Sequence, residues 1–248
     1  MTADKIRFHS MVHDLKNPIG ILLANLALLS DETFGPLTEK QHNIVARSLR
    51  SVKNVQEVVK NILELGKSEN GLLNRSQFTV ATLIMAVMLE VVDIDHTPMK
   101  NQDGRDALNV FQELTRAKNI EVKIDQKLWS QNVVSDFGKL KQILANLVSN
   151  AIKFRRKKVE MFISGNNEYL ELSIKDDGKG IPPVYHDKIF ESYFQMQNSF
   201  EASVRGHGIG LAAVAVLVKD LDGTLDLKGT KGEGANFIVR IPISHPKH

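Results

Sequence analysis

The chain has 248 residues, 42% of them hydrophobic and 25% charged, with no cysteine and a formal net charge of +3. That length allows two domains of ordinary size, the missing cysteines exclude disulfides, thiolate metal sites and cysteine nucleophiles, and so mild a charge gives no reason to expect a nucleic-acid partner. The longest apolar stretch, Pro18 to Leu29, is interrupted by Gly20 and Asn25 and falls short of the roughly 20 residues that cross a bilayer, so neither a span nor a signal peptide is expected and a cytoplasmic location fits.

Residues 3 to 31 read as one helix, with Met11, Leu15, Ile19, Leu22, Leu26 and Leu29 spaced by fours and threes into an apolar stripe. Phe34-Gly35-Pro36-Leu37 breaks the chain, and Thr38 followed by Gln41 is the capping-box signature of a second helix. In that helix Val45, Val52 and Val59 recur every seven residues, with Val55 and Ile62 in the alternate seam positions. One hairpin cannot enclose two such stripes, so two copies are expected to pair into a four-helix bundle, a homodimer.

The polar, turn-rich stretch 67–78 reads as a linker between a first domain at 1–66 and a second at 79–248. A helix is predicted from Thr79, then a polar segment from Asp93 to Asp106, a short helix, and strands at Ile120 to Ile124 and near Val133. A helix from Phe137 to Phe154 follows, then strands at Val159 to Ser164 and Tyr169 to Lys175, a glycine-rich region, a helix after Gly208 and a closing hairpin. The fold class expected is an α-helical hairpin followed by an α+β two-layer sandwich, a mixed sheet with helices on one face.

Two sets of residues could carry chemistry. In His13-Asp14-Leu15-Lys16-Asn17-Pro18 the polar members lie off the apolar stripe. A neutral imidazole is a usable nucleophile near pH 7, Asp14 can orient it and absorb developing charge, and Asn17 lies one turn on, where its amide could hold a water. Pro18 removes the donor for the carbonyl of Asp14 and predicts a kink beside the histidine. Taken alone, a histidine beside an aspartate is also what an ordinary solvated helix face shows.

In the second domain Asn146, Asn150 and Lys153 fall on one helical face; amide oxygens suit Mg²⁺ and an ammonium suits phosphate. Asp176-Asp177-Gly178-Lys179-Gly180 follows a strand, where an aspartate can accept a purine amino proton and glycines let a ligand approach the backbone. Gly206-His207-Gly208-Ile209-Gly210 opens a helix whose N–H groups favour phosphate. A dinucleotide-binding reading of these glycines would need a strand directly before them, and the preceding stretch is polar instead.

The segment from His13 to Pro18 resembles the phosphoacceptor box of sensor histidine kinases, with Lys16 where an arginine is frequent. The later segments are similar, in order and spacing, to the N, G1, F and G2 boxes of the Bergerat-type ATPase domain that these kinases share with gyrase-type ATPases. The resemblance covers nearly the whole chain. It implies ATP and Mg²⁺ as cofactors, autophosphorylation on His13 with Asp14 assisting, Asn17 in a phosphatase step, and transfer to an aspartate in the receiver domain of a response regulator. It assigns Asn150 to Mg²⁺ with Asn146 assisting, Lys153 to phosphate, Asp176 to the adenine amino group beside Gly178 and Gly180, Phe190 to the F box within the ATP lid, and Gly206, Gly208 and Gly210 to the phosphate-side hinge. Gln195 stands where many relatives carry an arginine, for which Arg205 or Arg155 could compensate; that departure leaves open a nucleotide-sensing scaffold or a phosphatase-biased pseudokinase. Asn236 replaces a frequent threonine. A gyrase-like ATPase that uses water would leave His13 and its hairpin without a purpose.

Overall fold

The computed structural model describes residues 3–31, 35–68, 73–92, 104–166, 168–191 and 209–244, without the side chains of 3–16, 54, 57–58, 60–68 and 104–106. Two compact units divide the chain, Met1–Asn70 and Gly71–His248.

The first unit is a helical hairpin, α1 (Ala3–Ser30) and α2 (Glu39–Ser68). Thr38 and Gln41 close the expected capping box: the Thr38 N–H donates to Gln41 Oε1 at 2.8 Å, and the Gln41 N–H to Thr38 Oγ1 at 3.4 Å. Pro18 lies inside α1. Ile19 packs with Val59, flanked by Leu23 and Val52. The apolar stripe thus differs from the sequence expectation, because Leu22 is 51% exposed and Leu23 takes its place on the inner side. Leu22, Leu26, Ile44 and Val52 instead line an open groove. With Val55 also exposed, the hairpin leaves uncovered apolar surface of the kind that drives association.

The second unit begins with β1 (Arg75–Thr79) and α3 (Val80–Val92). The sequence reading placed 75–78 in a linker; those residues pair antiparallel with β3 (Asn132–Asp136) in a separate two-stranded sheet. After α4 (Gly104–Ala117) come β2 (Ile120–Ile124) and a five-residue helix α5 (Gln126–Ser130), which is capped by Asp125 and is too short for periodicity to reveal. Then come α6 (Phe137–Phe154), β4 (Val159–Gly165), β5 (Tyr169–Asp176), short 3₁₀ turns at Pro183–Tyr185 and Lys188–Phe190, α7 (Gly210–Asp220), β6 (Thr224–Lys228) and β7 (Asn236–Pro242).

The five-stranded sheet runs β2-β4-β5-β7-β6. Only β2 and β4 are parallel; the other neighbours are antiparallel. Alternate residues of its strands, including Met161, Ile163, Leu172, Ile174 and Val239, join Leu140, Ile143, Leu144 and Leu147 of α6 and Val214 and Leu217 of α7 in one buried core. Helix α6 touches α3, α7 and β5, so it runs through the middle of the helical layer. Asp136 starts it: Oδ1 accepts from the Lys139 N–H at 3.0 Å as N-cap, and Oδ2 accepts from the Asn74 N–H at 2.9 Å, fastening the chain entering β1 to the head of the helix. Lys139 and Asp220 form an ion pair joining α6 to the end of α7. Among the described residues no helix is long and apolar enough to cross a membrane.

Candidate active site

Helix α6 carries Asn146, Asn150 and Lys153 into its second half. Asn146 is 7% exposed, and its Nδ2 donates to the carbonyl of Gly210 at 3.5 Å, a long bond that joins the middle of α6 to the first residue of α7. Asn150 is half-buried and Lys153 exposed, with the ammonium of Lys153 5.5 Å from the ring centroid of Phe154. The amide oxygen of Asn150 is the donor type a hard cation takes, alongside phosphate oxygens and water.

Strand β5 delivers Asp176 to the same end of the domain. This aspartate is only 5% exposed; its Oδ1 accepts from the Gly178 N–H at 2.8 Å and the Ala235 N–H at 3.4 Å. Its Oδ2 receives no hydrogen bond among the described residues. Burial raises the Asp176 carboxyl above the ordinary carboxylate value, against the pull of the two backbone donors, and the neighbouring Asp177 charge adds to the rise. A buried carboxylate oxygen without a donor is costly, and an N–H donor from a ligand is one kind of group that could match it.

Glycines make the close approach possible. A Cβ on Gly178 would sit 2.2 Å from the carbonyl oxygen of Phe154, so the loop after β5 rests directly on the end of α6. Gly234, at φ +81°, would place a Cβ 1.9 Å from the carbonyl oxygen of Asp176, and Gly180, at φ +68°, one 2.0 Å from that of Thr230. The hairpin between β6 and β7 therefore forms a wall of the site, held further by the Gly232 N–H donating to the carbonyl of Lys179 at 2.6 Å. Sequence reasoning expected a closing hairpin here but singled out only the departure at Asn236. The available signal was the crowding of Gly229, Gly232 and Gly234, all at positive φ, into six residues.

Asp177 was likewise passed over. Its Oδ1 accepts from the N–H groups of Arg156, Lys157 and Lys158 at 2.8, 3.0 and 3.2 Å, and its Oδ2 from that of Lys157 at 3.1 Å. The basic run there contributes its backbone to the fold. Arg155, considered as a replacement positive charge, donates through Nη1 to the carbonyl of Lys118 at 3.0 Å. Phe190 is half-buried, its ring edge-on to Phe237 with centroids 6.4 Å apart. Gly206, Gly208, Gln195 and Arg205 lie outside the described residues, as do the side chains of His13 and Asp14, whose backbone belongs to α1; Asn17 is exposed. Among the described residues, Asn146, Asn150, Lys153, Asp176, Gly178, Gly180 and Gly210 thus come from α6, from the end of β5 with the loop after it, and from the start of α7, and α6 touches both of the others.

Two family models match the chain: the His Kinase A (phospho-acceptor) domain over residues 7–71, and the histidine kinase-, DNA gyrase B-, and HSP90-like ATPase over residues 135–245. The circadian input-output histidine kinase CikA of Thermosynechococcus vestitus is 31% identical over 242 residues, 96% of this chain and 31% of that protein. The autoinducer 2 sensor kinase/phosphatase LuxQ of Vibrio parahaemolyticus is 29% identical over 94% of this chain and 26% of its own length. The chain thus spans less than a third of these curated relatives. Among solved structures, full-length ShkA in complex with AMPPNP aligns with TM-score 0.65 at 21% identity, over 98% of this chain and 46% of that one. The Acinetobacter baumannii histidine kinase AdeS aligns with TM-score 0.56 at 23% identity, over 93% and 97%. At such identities these two establish the fold. With a phosphoacceptor hairpin followed by an ATPase sandwich, each matched by its own family model, the chain belongs to the sensor histidine kinases of two-component systems.

Proposed function

We propose that this chain binds ATP with Mg²⁺ and transfers the γ-phosphoryl group to its own His13, then onward to an aspartate in the receiver domain of a response regulator. The observation that carries the nucleotide half is Asp176, a buried carboxylate with one oxygen held by backbone donors and the other open to an adenine amino group. Asn150, with Asn146 anchoring the adjoining turns, would hold Mg²⁺, which shields the phosphate charge when bound. Lys153 and the N–H groups at Gly206, Gly208 and Gly210 would take the phosphates.

In the transfer, one imidazole nitrogen of His13 attacks the γ-phosphorus, the bond from phosphorus to the bridging oxygen breaks, and ADP leaves. Asp14 accepts a hydrogen bond from the other ring nitrogen and stabilises the cation that forms. The regulator's carboxylate then attacks the same phosphorus, the P–N bond breaks, and His13 is regenerated. Asn17 would orient a water for hydrolysis of phosphorylated regulator, a role suited to its exposed position on α1. The apolar surface at Leu22, Ile44 and Val55 supports pairing of two hairpins into a four-helix bundle, and dependence on ATP suits a cytoplasmic location. Incubation with γ-labelled ATP tests the assignment: wild type becomes labelled, in an acid-labile and base-stable form, and His13→Gln does not. Equal label on both proteins would end it.

A further inference from the structure

We infer that Asp177 is a positioning residue that sets the distance between the adenine-reading and phosphate-reading halves of the site; the inference rests on the nucleotide reading above. The adenine half is Asp176, on the strand end. The phosphate half is the last two turns of α6, carrying Asn150 and Lys153. The exit of α6 runs through Arg155, its C-cap, into residues 156–158 before β4 begins at Val159.

Backbone N–H groups there need acceptors outside the sheet ladder. Asp177 answers three in succession with a single carboxylate, at 2.8 to 3.2 Å, an arrangement in which adjacent N–H dipoles converge on one negative charge. Its flanks carry the functional contacts. The residue before it presents the buried carboxylate, and the residue after it, Gly178, is pressed against the Phe154 carbonyl with no room for a Cβ. Asp177 therefore grips the helix exit one residue from the group that reads the base. Releasing it lets the end of α6 and the Asp176 loop move apart, although each half keeps its own side chains. Burial works to raise the Asp177 carboxyl, but the donors at Lys157, Lys158 and Arg156 outweigh it and hold the group below the ordinary carboxylate range, so the grip stays ionised throughout the physiological range.

A turn cap of purely structural use would alter how much protein is folded without changing what the folded protein prefers. A spacing element changes selectivity between ligands that use one half and ligands that use both. Calorimetric titration of the full chain with adenosine, and with ADP in the presence of Mg²⁺, separates the two. For Asp177→Ala the ADP affinity is expected to fall about tenfold or more, from lost charge-assisted bonds and misplaced groups, while adenosine binds within about twofold of wild type. Asp177→Asn, which keeps the Oδ1 acceptor, is expected to retain ADP affinity within about threefold. Should Asp177→Ala not fold, Asp177→Ser, with one short acceptor, gives the same comparison. Equal losses for both ligands, or an unchanged ADP affinity, overturn the inference while leaving the nucleotide reading intact. Failure of the wild type to bind either ligand overturns the nucleotide reading, and this inference with it.

Discussion

Replacing Asp176 by asparagine separates stability from function at one position. The amide oxygen can keep the place of Oδ1, accepting from the N–H groups of Gly178 and Ala235 as the carboxylate does at 2.8 and 3.4 Å. The NH₂ then falls where Oδ2 stood, so a donor meets the adenine amino donor. A hydrogen bond to a charged acceptor contributes about 1.5 to 3 kcal/mol, which converts to an affinity loss of about 10- to 100-fold. The fold responds in the opposite direction. A carboxylate only 5% exposed pays a desolvation cost that a neutral amide avoids, so unfolding by urea is expected at equal or higher midpoint for Asp176→Asn. Titration with ADP and urea melts on the same preparations give both quantities. ADP affinity equal to wild type, or a loss that merely tracks a weakened fold, would refute the assignment of Asp176 to the base.

Gly234→Ala forces a side chain into a left-handed conformation at φ +81° and to within 1.9 Å of the Asp176 carbonyl; the conformation alone costs about 1 to 3 kcal/mol. The expected result is a lower urea midpoint together with weakened ADP binding, and wild-type values for both would contradict the tight wall seen here. Ile44→Glu places a charge at a position 63% exposed in the single hairpin, so the monomer should fold as well as wild type, whereas sedimentation should show the dimer weakened; an unchanged dimer would exclude this face as the seam. ADP affinity should decline as pH falls through a midpoint above the ordinary aspartate value, because Asp176 is raised by burial and protonation removes the acceptor. The stability contributed by that group runs the other way: the folded state holds its proton more tightly, so the contribution is present at low pH and lost as pH rises through the raised value. Calorimetry of wild type and Asp176→Asn across pH checks this, and an identical pH dependence in the two proteins would dismiss it.

Strand β2 and helix α6 were legible to the residue, and for physical reasons. Ile120, Val122 and Ile124 alternate with charged residues, and α6 combines an N-cap at Asp136 with an apolar face that is buried nearly throughout. Strand β1 carried no such signal: only Phe78 of its five residues is buried, so its extended state depends on β3, more than fifty residues away. In the hairpin, periodicity located the apolar residues but could not distinguish those closing the hairpin, such as Ile19 and Leu23, from those left exposed, such as Leu22. In the proposed nucleotide site, Asn146, Asn150, Lys153 and Asp176 were legible as candidates, because side-chain identity carries the chemistry proposed for them. Asp177 was not, because its partners are backbone N–H groups at 156–158, which leave no mark on residue type.

Asp176 and Asp177 are the same residue type one position apart, and their surroundings push them in opposite directions. Both accept backbone hydrogen bonds. For Asp176 two donors fall short of its burial, and its carboxyl rises; for Asp177 the three donor residues more than offset a smaller burial, and its carboxyl drops. Strand alternation decides which is which, since successive side chains leave a strand on opposite faces. The inward one is buried beneath the helical layer, with one oxygen that receives no hydrogen bond among the described residues. The outward one meets the turn that ends α6, where the N–H groups of Arg156, Lys157 and Lys158 hold it. An unmatched buried acceptor would be a flaw in a residue of purely structural use, whereas a ligand's donor completes it. Its neighbour is engaged by three backbone N–H groups instead and, on the inference above, acts by holding α6 where the unmatched one needs it.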